Sequence, residues 1–237
     1  MFNRRVSVLV GPFGSGKSEL ALQAALASAE ATRRTALLDL DLVKPFLRAR
    51  TAREWLESRG VEVVAPTGEN AFADLPILLP RVRGLLRDEQ VHVLADVGGD
   101  EAGARVLGSL GDALPLDADL LLVLNFRRPF AETVEQVLAL ADRIARAARR
   151  GVTGLISNTH LKHETTPEVV VRGYEQAREV ATRLGVPVVA VPVQEELAAR
   201  MDPTAFDGLL VPFQRLLTLP FEEGLKVRRS GPLFVLN

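Results

Sequence analysis

The chain has 237 residues, enough for one α/β domain, and 47% of them are hydrophobic, which leaves material for one large core. Lys and Arg number 29 against 30 Asp and Glu, a near-balance that argues against electrostatic binding of nucleic acid. The absence of Cys excludes disulfides, a cysteine-ligated zinc and an iron–sulfur cluster held by this chain.

The first residues, Met1 to Arg5, run straight into an apolar stretch, Val6 to Val10, and leave no room for a signal peptide. No apolar run approaches the ~20 residues of a membrane span, so the expectation is a cytoplasmic protein without membrane contact. Directly after Val10 comes Gly11-Pro12-Phe13-Gly14-Ser15-Gly16-Lys17-Ser18, and an Ala/Leu-rich run over 19–30 follows. Strand, glycine loop and helix in that order are the setting that the phosphate-binding pattern G-x-x-x-x-G-K-[ST] requires. Gly11, Gly14 and Gly16, with Ser15 between them, let the backbone wrap an anion with its N–H groups at the positive end of a helix. Lys17 would reach the β- and γ-phosphates, and the Ser18 hydroxyl would ligate Mg²⁺.

Beyond the loop, short aliphatic runs predict strands near 5–10, 35–38, 61–64, 91–95, 120–124, 152–157 and 186–190. They are apolar on both faces, as buried parallel strands are. Helices are predicted over 17–30, 49–59, 79–87, 100–110, 130–149 and 167–184, with a further pair near the C-terminus. This alternation gives a doubly wound, mostly parallel α/β sheet in one domain over 1–237, ending in a tail over 221–237.

Ligands of such sheets collect at the carboxyl ends of the strands, and there the sequence turns polar. Asp39 and Asp41 close the second strand. Residues two apart in a strand point the same way, so both carboxylates can face one site, one near Mg²⁺ and one orienting a water. Asp96 ends the fourth strand in the manner of a metal-side aspartate beside a phosphate loop. Gly99, three residues on, could bring a backbone N–H to the γ-phosphate.

Taken together, the glycine loop, Asp39-Leu40-Asp41 and Asp96-Val97-Gly98-Gly99 resemble the MinD/ParA/CobQ-like branch of the P-loop ATPases, over most of the chain. The resemblance implies a three-layer sandwich, Mg²⁺-dependent ATP hydrolysis in a switch cycle or ATP-dependent synthesis, and a protein partner or homodimer. It implies Lys17 and Ser18 at the phosphates and metal, Asp41 positioning hydrolytic water, Asp39 and Asp96 on the metal side, and Asn158 reading adenine. Val191 and Pro192 match the loop that covers the base. Pro12 stands where MinD/ParA members carry a second lysine. The loop wording is also similar to GPN-loop GTPases, but the Gly-Pro-Asn insert and a guanine-reading aspartate are missing, which favours ATP.

Lys44, Arg48, Arg50, Arg127 and Arg128 could form a cationic rim, though each taken singly reads as a solvated charge. Lys44-Pro45 is faintly similar to dethiobiotin-synthetase-like ligases, which keeps a ligase or small-molecule kinase in view, beside a nucleotide-sensing adaptor without turnover. His160 and His163 read as loop residues, Thr166 and Pro167 as a helix start, and Trp55 as partly buried. In the tail, Gly231 and Pro232 break any amphipathic membrane helix and favour an edge strand or docking arm.

Overall fold

The computed structural model describes residues 2, 4–31, 33–41, 50–66, 71–99 and 101–216. Lys44, Arg48 and the tail over 221–237 lie outside them, and the Arg50 side chain is likewise undescribed.

Eight parallel strands form one sheet: β1 (Val6–Val10), β2 (Thr35–Leu40), β3 (Val61–Val64), β4 (His92–Val97), β5 (Asp119–Leu124), β6 (Gly154–Ser157), β7 (Val188–Gln194) and β8 (Leu210–Phe213). Their order is β3-β2-β4-β1-β5-β6-β7-β8. The crossovers are α1 (Lys17–Glu30), α2 (Arg50–Glu57), α3 (Ala71–Arg87), α4 (Glu101–Ser109), α5 (Val134–Ala148), α6 (Pro167–Leu184) and the single turn α7 (Glu195–Ala198). Because strands buried on both faces need apolar residues in both registers, successive residues feed opposite cores. Leu9, Leu37, Leu94, Leu121 and Ile156 pack with α1 and α2. Val8, Leu38, Val93, Leu122 and Leu155 pack with α3 to α6 on the other face. The chain leaves β1 toward β2 on one side and places β5 on the other, so β1 marks the topological switch point where ligands of such sheets bind.

The expected doubly wound architecture is present, with differences at several borders. α5 begins at Val134, not near 130, because Thr133 and Gln136 close a capping box. α3 starts at Ala71 and not near 79, carrying Pro76 and Pro80 inside it, and ends at Arg87 as expected. Thr166 and Pro167 do start α6, although the Thr166 side chain makes no capping bond. Trp55 is buried in the α1-side core. The expected C-terminal helix pair is one turn, a 3-10 turn over Pro203–Phe206, and then β8. After β8 the chain returns to the phosphate-loop helix, where Leu216 is buried and its N–H donates to Glu19 Oε1 at 2.9 Å. Among the described residues, no helix is long and apolar enough to cross a membrane.

Candidate functional site

The loop over residues 11–16 leaves β1 and enters α1 through Gly16, whose φ of 91° is the left-handed conformation that glycine adopts without cost. Ser15 N–H donates to Pro12 O at 3.1 Å and tightens the turn. The buried Lys17 lies back across the loop, its Nζ donating to Pro12 O at 3.3 Å. From the other strands, donors take the outward-facing carbonyls: Asn158 Nδ2 bonds Ser15 O at 2.7 Å and Arg128 Nε bonds Gly14 O at 2.9 Å. With these carbonyls held from outside, the glycine loop stays curled over the N-terminus of α1, the setting of a phosphate nest.

Asp39 and Asp96 are opposite each other in the register of β2 and β4, and both are fully buried. They sit two residues beyond Leu37 and Leu94, on the α1 face, so their carboxylates share the side from which Ser18 projects. Ser18 Oγ donates to Asp96 Oδ2 at 2.5 Å. Burial pushes the Asp96 carboxyl up to about 6, opposed by the Lys17 charge and the Ser18 hydrogen bond and reinforced by Asp41. Asp96 Oδ1 and Ser15 Oγ are buried and have no hydrogen-bond partner among the described residues. A buried carboxylate oxygen without a donor, beside a serine hydroxyl, is a hard-oxygen set that fits Mg²⁺. Among the described residues no three His, Cys, Asp or Glu converge on one point. Mg²⁺ here would therefore complete its shell with water and phosphate oxygens, its usual habit at such sites.

Gly99 packs on the loop itself: a Cβ there would lie 1.5 Å from Gly11 O and 2.1 Å from the Gly11 carbonyl carbon.

Three residues stand differently from their sequence reading. Asn158, assigned to adenine, spends one N–H of its amide on Ser15 O and so braces the phosphate loop. Pro192, expected in a covering loop, lies inside β7, which continues to Gln194 and pairs Pro192 with Val211 of β8. Arg128, read as a solvated charge, is partly buried on the loop. Asn125 was passed over as a strand end. It is fully buried, its Oδ1 accepting from Arg127 N at 3.0 Å and His160 N at 3.2 Å, its Nδ2 donating to His160 O at 3.1 Å and Gly14 O at 3.4 Å. A lone asparagine after an aliphatic strand was the available signal. His163 is exposed, as expected, whereas His160 is half-buried beside the loop.

A scan against protein-family models finds no match, and neither does a search of curated proteins. Solved structures do resemble the chain. FtsY from Thermotoga maritima is 20% identical over 86% of this chain and 67% of its own, with a TM-score of 0.54. Chloroplast FtsY from Physcomitrella patens is 22% identical over 86% and 64%, TM-score 0.52. FtsY from Mycoplasma mycoides is 17% identical over 81% and 61%, TM-score 0.51. The chain spans roughly three fifths to two thirds of the length of these proteins. The sheet order, the glycine loop between β1 and α1 and these likenesses give the chain the three-layer α/β fold of the P-loop nucleoside triphosphatases.

Proposed function

We propose that the protein binds ATP with Mg²⁺ at the loop over residues 11–18 and hydrolyses it slowly as a nucleotide-driven switch. One observation carries the reading: the Ser18–Asp96 hydrogen bond at the mouth of a glycine nest crossed by Lys17. A serine hydroxyl held against a buried aspartate, with an ammonium alongside, is the donor set that a metal-bound triphosphate needs. Ser18 and Asp96, with Asp39 beside them, would hold Mg²⁺, which when bound offsets the phosphate charge.

The chain's own groups do the rest. The loop amides and Lys17 stabilise charge on the transferred phosphoryl group, and they do so without reorganising. Asp41, at the open end of β2, orients the attacking water in line with the bond that breaks. ATP is favoured over GTP because residues 158–162, Asn-Thr-His-Leu-Lys, offer no carboxylate to the N1–H and amino group of guanine. The switch reading, with a protein partner or a second copy, is supported by Phe13 and Phe130, 73% and 81% exposed on loops at the same edge of the sheet.

Phosphate release from ATP and from GTP with Mg²⁺ tests this, with Lys17→Ala as control and sedimentation of the apo, ADP- and ATP-bound protein alongside. ATP-selective turnover, absent in the variant, is the expected result. Failure of the wild type to bind either nucleotide would end the reading.

A further inference from the structure

The two flanks of the phosphate loop differ in chemistry. On the β4 and β2 side lie the acids, Asp96 and Asp39, and the Ser18 hydroxyl. On the β5 and β6 side lie Arg128, His160, Asn125 and Asn158, with no carboxylate bonded to any of them among the described residues. A triphosphate whose metal-bearing end meets the acids must run its nucleoside out across the opposite flank.

We propose that Arg128 is the nucleoside anchor of this site, its guanidinium forming, with the His160 ring, the floor on which the ribose and base of a purine nucleotide rest. The inference rests on the nucleotide reading above and assigns its base-side chemistry.

Four observations carry it. First, Arg128 lies on the outer, carbonyl-bearing side of the loop: Nε is 2.9 Å from Gly14 O, and Nε, Cζ and Cδ fall 2.8, 3.0 and 3.2 Å from where a Cβ on Gly14 would stand. Glycine at 14 is what lets the arginine root come down on the backbone. Second, no carboxylate among the described residues pairs with Arg128, so a partly buried cation faces an anion-binding loop uncompensated. Its charge adds to burial in holding His160 down to about 4, so the imidazole stays neutral. Third, the tautomer of His160 is set by its neighbour. Nδ1 accepts from Lys162 N–H at 3.3 Å, which leaves the proton on Nε2, 3.9 Å from the Cβ position of Gly16. The donor nitrogen therefore lies beside Gly16, at the helix end of the loop. Fourth, Asn125 ties both loops together through Arg127 N, His160 N and His160 O, so the two side chains are carried on a fixed frame.

The chemistry fits a base better than a phosphate. A guanidinium is planar, delocalised and weakly hydrated, so it stacks on a heteroaromatic ring, whereas an ammonium does not. A role at the γ-phosphate would instead need the cation on the acid-bearing flank.

The test compares two probes by calorimetry with Mg²⁺ present: ATP, and inorganic tripolyphosphate, which has the phosphates and no nucleoside. Arg128→Ala is expected to weaken ATP by about tenfold and to leave tripolyphosphate within about twofold. Arg128→Lys can still donate to Gly14 O but lacks the planar face; it is expected to weaken ATP and spare tripolyphosphate in the same way. Parallel losses for both probes would mean that Arg128 only braces the loop, and would overturn the proposal, as would no loss for either. A wild type that binds tripolyphosphate but no nucleotide would also overturn it. A wild type that binds neither would sink the nucleotide reading itself and this inference with it.

Discussion

A Cβ placed on Gly99 would lie 1.5 Å from the carbonyl oxygen of Gly11, so the loop after β4 is packed directly on the peptide that opens the phosphate loop. Neither backbone can yield, because Gly11 is itself pressed against Val123 O, 2.3 Å from its own Cβ position. Gly99→Ala is expected to destabilise the protein by about 2 kcal/mol or more and to abolish nucleotide binding, read by thermal melting and calorimetry. Gly84→Ala is the matched control. That site in α3 has nothing within 4 Å, and the change should stabilise by about 0.5–1 kcal/mol with binding intact.

Asp96 sets stability against function. Its folded pKa of about 6 exceeds the ordinary 3.8, so the folded state holds the proton more firmly than the unfolded state. Its effect on stability is therefore favourable at low pH and is lost as pH rises through about 6, by about 3 kcal/mol in the absence of nucleotide. Asp96→Asn should melt higher than wild type at pH 7.5, lose that advantage near pH 4, and fail to bind Mg²⁺-nucleotide at any pH. Equal melting curves at pH 7.5 would contradict the burial argument.

Two histidines act with the opposite sign. His160 is held down to about 4, mainly by burial and by the Arg128 charge. His92 is also lowered, mainly by burial, with Nδ1 at 2.7 Å from Ser28 Oγ and Nε2 at 2.8 Å from Arg4 O. A lowered histidine pKa contributes stability that is present above about 6.5 and is lost as pH falls through that value. In an Asp96→Asn background, which removes the opposing carboxyl, stability should decline from pH 6.5 toward 4. His160→Asn should flatten that slope. Denaturant unfolding across the pH range reads it.

Lys17 and Asp41 should separate binding from turnover. Lys17→Ala is expected to abolish tight ATP binding, since its ammonium lies across the nest. Asp41→Ala is expected to keep the affinity and lose turnover by about 10²-fold or more. Single-turnover hydrolysis beside calorimetry distinguishes the two, and unchanged hydrolysis would remove Asp41 from the mechanism.

Asn125 should be costly to remove. It serves four backbone groups on three loops while being fully buried, and Asn125→Ala leaves Arg127 N, His160 N, His160 O and Gly14 O without it. A loss of about 2–4 kcal/mol is expected by denaturant unfolding. Nucleotide affinity should fall with it, because the frame holding Arg128 and His160 comes apart.

Sequence alone was enough for the local patterns. The spacing from Gly11 to Ser18, the aliphatic strands that end in aspartate, and the alternation of short aliphatic runs with helix-like runs are all carried within a few neighbouring residues. They gave the α/β alternation, the phosphate loop and its pairing with the acids. Tertiary structure alone decided what depends on residues distant in the chain. It set the order β3-β2-β4-β1, which puts Asp39 beside Asp96, and it placed Gly99 on Gly11. It also continued β7 through Pro192, which pairs with Val211 of β8, where the sequence reading had placed a loop. Asn125, Arg128 and Asn158 have no motif between them. Their common purpose arises only when β5 and β6 stand beside β1 in the sheet, and two carbonyls of a loop more than 100 residues away in sequence, Gly14 O and Ser15 O, need donors.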